Sequence, residues 1–172
     1  MGNIVGKSNI IILRKTQEVD LNFVVNSERE PINSQYVGHW TKEQHLNALA
    51  EKDILHLIVE DAITYKEVGY VIMAGLENLD HNIEFRRIVI SDKGKGFGRE
   101  TLKIVKKIVF NQLNGHRLWL DVREKNRKAQ NLYQSVGFIK EGILRECISY
   151  NEQFESLMVM SILENEFRRS FE

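Results

Sequence analysis

Three glycines occupy five positions in Lys93-Gly94-Lys95-Gly96-Phe97-Gly98, directly after the apolar run Ile88-Val89-Ile90 and before a stretch with helical spacing. Glycine permits the backbone angles of a tight turn and, lacking a Cβ, lets main-chain N–H groups approach a ligand closely. The helix that follows leaves its first N–H groups unpartnered and carries a partial positive charge there, so the guest is an anion, and a diphosphate suits it best. Lys93 and Lys95 reinforce the turn. They open a segment, 93–128, with eleven Lys or Arg against three Asp or Glu in a chain whose net charge is zero. Two other phosphate loops fail on detail. A nucleoside-triphosphatase loop needs Gly-x-x-x-x-Gly-Lys-Ser/Thr, which does not occur, and a dinucleotide fingerprint needs glycine where Arg99 stands.

Other reactive side chains are sparse. Cys147 is the single cysteine, so no internal disulfide can form; with no adjacent histidine in the sequence, it reads as a packing residue rather than an acyl-carrying nucleophile. His39, His45, His56, His81 and His116 show no metal-ligand spacing, and no metal is expected. His39, beside Trp40, reads as a surface or substrate-wall residue.

The elements that must position the glycine turn follow from periodicity. Asn9 to Leu13 reads as a strand, Gln17 to Asn26 as an amphipathic helix, and Glu28 to Trp40, with the only proline, as a loop or broken helix. Thr41-Lys-Glu-Gln44 is a capping-box pattern opening a helix to about Lys52. Ile54 to Val59 and Val68 to Ala74 read as an antiparallel hairpin, and Asn82 to Ile90 as the strand that ends at the turn. A helix from Phe97 to Leu113, a strand from Arg117 to Val122, a helix from Asn126 to Val136 and two long strands, Phe138 to Tyr150 and Phe154 to Leu163, complete the order. The result is an α/β chain with a mixed sheet of seven strands and about four helices. Its 172 residues suit one domain, 1–172, with a core of about 9–163. No apolar run approaches the roughly 20 residues of a membrane span, and Met1 to Ile12 lacks the pattern of a secretion signal, so a cytoplasmic protein away from membranes is expected.

The turn, after Ile83-Glu-Phe-Arg-Arg-Ile-Val-Ile90, resembles the acetyl-CoA signature Gln/Arg-x-x-Gly-x-Gly/Ala of the Gcn5-related N-acetyltransferase (GNAT) superfamily. Lys93 departs from its first position, keeping the charge of arginine but losing its fork of donors. Asn126-Arg-Lys-Ala-Gln-Asn-Leu-Tyr-Gln-Ser-Val-Gly-Phe138 resembles the superfamily's second stretch, Asn-x-x-Ala-x-x-Leu-Tyr-x-x-x-Gly-Phe. Glu141 to Phe154 is similar to the branch of ribosomal-protein N-terminal and spermidine acetyltransferases.

The resemblance implies a mostly antiparallel sheet whose central strands, Ile83–Ile90 and Leu118–Val122, splay apart around the pantetheine arm of acetyl-CoA. Ile88 and Ile90, with Val89 between them, supply main-chain bonds to that arm. Lys93, Gly94, Lys95, Gly96, Phe97, Gly98 and Arg99 hold the diphosphate, Asn126 bonds the pantetheine, and Lys128 or Arg127 reaches a phosphate. An amine acceptor with an unperturbed pKa near 10.4 must lose a proton before attack. Glu84 is the expected base, or a contact that binds the substrate cation without proton transfer; an N–H near Ile90 is the oxyanion donor, and Tyr133 is the acid that protonates the departing thiolate, or a residue that shapes the sulfur pocket. The implied reaction is direct attack in a ternary complex by a small-molecule amine, a polyamine or a protein N-terminus. Acids at Glu28, Glu30, Glu43, Glu152 and Glu155 are expected to attract the cationic acceptor. Two competing readings stand beside this one, a non-catalytic acyl-CoA-binding regulatory domain and RNA binding through Arg117 to Lys128. The second lacks aromatic interleaving, and no nucleic-acid partner is expected. The long final hairpin offers an edge for homodimer pairing.

Overall fold

Eight strands form one sheet in the computed structural model, which describes residues 3–170. They are β1 (Ile4–Lys7), β2 (Ile11–Lys15), β3 (Ile54–Asp61), β4 (Glu67–Ala74), β5 (Asn82–Ile90), β6 (Arg117–Arg123), β7 (Ile139–Tyr150) and β8 (Gln153–Leu163). The spatial order is β1-β2-β3-β4-β5-β6-β8-β7, and only β5 and β6 run parallel. The helices are α1 (Leu21–Arg29), α2 (Pro31–Ser34), α3 (Lys42–Ala50), α4 (Phe97–Lys107), α5 (Arg127–Ser135) and α6 (Glu164–Arg169). Seven strands and about four helices are thus corrected to eight and six. The ends of the expected 1–172 domain, Met1, Gly2, Phe171 and Glu172, lie outside the described residues.

The additional elements have local causes. Strand β1 carries only Ile4 and Val5 before Gly6, too little for an alternating pattern. Gly6 lies so close to α4 that a Cβ there would stand 2.5 Å from Ile104 Cγ2. Helix α6 follows β8 without a break, its start fixed by the Leu163 N–H donating to the Glu166 carboxylate at 2.8 Å. Helix α2 is the short helix at Pro31, which occupies its first position, where a missing N–H costs nothing. The capping box of α3 forms as expected: Thr41 Oγ1 accepts from Gln44 N at 3.1 Å, and Gln44 Oε1 accepts from Thr41 N at 2.7 Å.

Each face of the sheet has its own core. Helix α4, through Leu102 and Val105, and Ile108 just past its end join Ile83, Phe85, Leu118, Leu120 and Val122 of the two central strands, together with Tyr133 and Phe138. On the other face Val24 of α1 meets Ile58, Tyr70, Ile72 and Val89, flanked by Val37 and Trp40.

The centre of the sheet opens. Strands β5 and β6 pair only at Asn82–Arg117, Ile83–Leu118 and Glu84–Trp119, although β5 continues to Ile90 and β6 to Arg123. A bulge explains part of the divergence: Ile72 pairs with Arg87 and Met73 with Phe85, which leaves Arg86 as the extra residue that bends β5. Strand β6 meanwhile stays paired with β8 over its whole length. The expected splay is therefore present. Among the described residues no helix is long and apolar enough to cross a membrane. Cys147, read as a packing residue, is corrected to an exposed position on β7.

Candidate active site

The open edge of β5 is built by strand alternation. Ser91 N bonds to Val68 O at 2.8 Å, so Ser91, Val89 and Arg87 turn their main-chain groups toward β4, and Ile88 and Ile90 turn theirs toward the gap. Val89 differs from its two neighbours, with its main chain spent on β4 and its side chain buried beside Val24 and Tyr70.

The glycine turn lies at the end of that edge. Gly94 and Gly96 have φ of +84° and +82°, in the left-handed region that favours glycine, and no protein atom lies within 4 Å of where a Cβ would stand on either. Gly96 is the N-cap of α4, and the first helical bond is Glu100 N to Gly96 O at 3.0 Å. The N–H groups of Phe97, Gly98 and Arg99 are the ones a helix start leaves over. Gly98 brings α4 against α5, with a Cβ position 3.5 Å from Leu132. Lys93 is near enough to Lys128 that burial first, and then the second ammonium, lower its pKa, with Glu30 opposing. Two cations converging on an open backbone cradle fit a diphosphate. Lys95 instead turns back to Asp92 at 2.6 Å, while Arg99 is exposed and the Phe97 side chain belongs to the core. Asn126 caps α5 by accepting from Ala129 N at 3.1 Å, which leaves its NH₂ group to donate; Arg127 lies 3.5 Å from Gln130 Oε1.

Tyr133 rises from α5 on the face of α4 and is 7% exposed. Among the described residues its hydroxyl has no hydrogen-bond partner, yet no fully buried side-chain oxygen goes unpartnered, so the hydroxyl touches open space. Burial first, and then the charge of Asp121, push its pKa up, which keeps the proton in place. Asp121 stands two residues past Trp119, the last β6 residue to pair with β5, and strand alternation sets it on the same sheet face as Glu84. Its own pKa is raised, by the surrounding protein first and then by Glu84. Glu84 Oε2 accepts from Arg86 Nε at 3.0 Å and Nη2 at 2.8 Å. The split thus brings together Tyr133 from one face and two carboxylates from the other. Asp121 went unread in the sequence, because its meaning depends on where the β5–β6 ladder stops.

The acids expected to attract an acceptor divide. Glu28 is fully buried: Oε1 accepts from Tyr70 Oη at 2.5 Å, Arg87 Nη1 at 2.5 Å and His45 Nε2 at 3.0 Å, and Oε2 accepts from Trp40 N at 2.9 Å. These donors overcome the cost of burial and hold its pKa down at about 2. From His45 the chain continues to His56 Nε2 at 3.2 Å and from His56 Nδ1 to Thr16 Oγ1 at 2.8 Å. Glu155 is likewise occupied, by Arg123 at 3.1 Å and Lys125 at 2.6 Å. Glu28 and Glu155 are therefore corrected from acceptor-attracting surface acids to internal partners. The same pairs, with Arg117 on Glu141, neutralise much of the basic stretch on which an RNA reading rested. Among the described residues no group of three or more His, Cys, Asp or Glu is arranged to hold a metal ion.

Residues 11–139 match the family model of the acetyltransferase (GNAT) domain. Over 171 residues, 91% of this chain and 95% of the relative, the sequence is 28% identical to the spermidine N(1)-acetyltransferase of Vibrio cholerae. A crystal structure of spermidine N-acetyltransferase from V. cholerae in complex with CoA and spermine matches with a TM-score of 0.85 at 26% identity, covering 94% of this chain and 99% of that one. A dodecameric structure from the same organism matches with a TM-score of 0.82 at 26% identity, covering 96% and 100%. A split sheet with an anion cradle at its open edge, and a family model spanning most of the chain, lead to one conclusion: the chain belongs to the GNAT family of acetyltransferases, enzymes that take their acyl group from acetyl-CoA.

Proposed function

We propose that this enzyme acetylates a primary amine of a polyamine-like cation by direct attack within a ternary complex. The observation that carries the reading is the meeting of Tyr133 with Asp121 and Glu84 across the split between β5 and β6. Acetyl-CoA supplies an activated thioester. The backbone N–H groups from Gly94 to Arg99, with Lys93 and Lys128, bind its diphosphate; the main chain of Ile88 and Ile90 and the NH₂ of Asn126 orient its arm. Glu84 and Asp121 face the acceptor, hold its ammonium and accept its proton. Burial keeps the Tyr133 proton available for the sulfur that leaves.

A polyamine suits this side because two carboxylates flank the gap, and the similarity to spermidine acetyltransferases supports it. Assembly through the edge strand β7 belongs to the same reading: Ile139, Ile143 and Leu144 are 54%, 45% and 50% exposed there, and one similar structure is dodecameric. So does a single acetyltransferase domain working in the cytosol, where the exposed Cys147 stays reduced. The test is mass detection of acetylated product from acetyl-CoA with spermidine, spermine, simple diamines and peptides with free N-termini. Turnover of the polyamines above all peptides is expected. Turnover confined to peptides would replace the acceptor, and none with any amine would end the reading.

A further inference from the structure

Glu28 has no part in the chemistry above, yet it is the most heavily committed side chain of the acceptor face. It draws its partners from four segments: Tyr70 from β4, Arg87 from β5, His45 from α3 and the Trp40 amide from the loop between α2 and α3. Burying a carboxylate costs several kcal/mol unless it is fully paired, so a site of this kind persists where it fixes an arrangement.

The arrangement it fixes is a wall. The Arg87 guanidinium rests on Glu28 from one side and lies 4.6 Å from the centroid of the Trp40 ring on another. Gly38 approaches so closely that a Cβ there would stand 3.4 Å from Arg87 Nη2. The Trp40 ring in turn lies 5.2 Å from that of His45. The Gly38–Trp40 segment is thereby clamped onto β5 at Arg87, which lies between Glu84 and the open edge at Ile88 and Ile90. The bulge at Arg86 makes this possible: Arg86 reaches Glu84 while Arg87, in register with Ile72, faces the helices.

We propose that Glu28 is a positioning residue for the acceptor, clamping Arg87 and the Gly38–Trp40 segment into a rigid wall beside Glu84 against which the amine is held. This rests on the reading that the acceptor approaches on this face. The wall stands on the sheet face that carries Glu84, whereas the diphosphate is held by the N–H groups that open α4. A loosened clamp therefore raises the KM for the amine and spares the binding of acetyl-CoA.

The experiment uses the full chain with spermidine and acetyl-CoA. Glu28→Gln alone leaves the part-buried Arg87 charge without its carboxylate, so it is combined with Arg87→Met, which removes that charge. In the double variant the KM for spermidine is expected to rise at least tenfold, with kcat within threefold and acetyl-CoA affinity within twofold of wild type. Trp40→Leu, which keeps the amide that Glu28 holds and removes only the ring, is the second arm, with the same pattern expected. An unchanged spermidine KM in either folded variant, or a fall in kcat with KM unmoved, overturns the assignment of Glu28 alone. A wild-type chain that acetylates no amine overturns the reading beneath it as well.

Discussion

Replacing Gly96 with alanine tests the donor cradle, because the structure separates two penalties there. The backbone has φ of +82°, and an L-residue held in that region costs roughly 1–2 kcal/mol. At about 2–4 °C per kcal/mol for a chain of this size, the Tm falls by about 2–8 °C. No protein atom lies within 4 Å of the added methyl, so the fold itself raises no clash. A diphosphate drawn up to the N–H groups of α4 does meet it. CoA affinity measured by calorimetry should therefore fall at least tenfold, about 1.4 kcal/mol. Gly6→Ala is the control, since its Cβ would stand 2.5 Å from Ile104 Cγ2, far from the turn. Overpacking there costs about 1–3 kcal/mol, so the melt shifts while CoA affinity stays within twofold. A folded Gly96→Ala protein that binds CoA as tightly as wild type would refute the cradle.

Tyr133→Phe should lower kcat by about 10²–10⁴-fold with CoA affinity unchanged; because the hydroxyl has no partner among the described residues, the Tm should move by less than about 2 °C, and a kcat within threefold of wild type would remove the acid role. Asp121 has a raised pKa, so it stays protonated to higher pH than an ordinary carboxyl, and activity that needs it as a base is lost as pH falls through that raised value. Asp121→Asn should therefore abolish or displace the acidic limb of the kcat/KM profile, and an unaltered limb would show that another group sets it. His56 is held neutral, with its pKa lowered by burial from 6.5 to about 3, while Glu28 is held ionised, with its pKa lowered from 4.5 to about 2. In both cases the unfolded chain takes up the proton first, so stability falls with pH, beginning near pH 6.5 through His56 and steepening below 4.5 through Glu28. Urea midpoints that stay flat from pH 7 to 4 would contradict this.

The glycine turn and the Asn126–Phe138 stretch were legible in the sequence because their signals are local. A glycine at positive φ, a helix cap and an aromatic at a fixed offset all act within a few residues. The register that gives those parts their meaning was not local. Asp121 matters because the β5–β6 ladder stops at Glu84 and Trp119, and that depends on a bulge one strand away at Arg86. Glu28 misled for the same reason, since glutamate is almost never fully buried unless paired. Its partners at positions 40, 45, 70 and 87 come from segments the sequence leaves apart. Strand β1 was missed because Gly6, which breaks the strand pattern, serves a contact with α4.

The sheet order bears on whether the acetyl group passes directly to the amine or first rests on the enzyme. The only free thiol among the described residues is that of Cys147, on β7. Strand β7 is separated from the split by β6 and β8. At about 4.8 Å per strand, an acetyl group leaving the gap would have to cross roughly 10 Å of continuous sheet to reach it. Tyr133, Glu84 and Asp121 by contrast converge on the gap itself, where the proposed function has donor and amine meet. Direct transfer needs no intermediate stop. Cys147→Ser should accordingly retain kcat within twofold, and wild-type protein incubated with acetyl-CoA and no amine should gain no acetyl adduct on Cys147 by intact-mass and peptide analysis. An adduct that forms there and disappears at the turnover rate when spermidine is added would establish an acyl-enzyme route and displace the ternary complex.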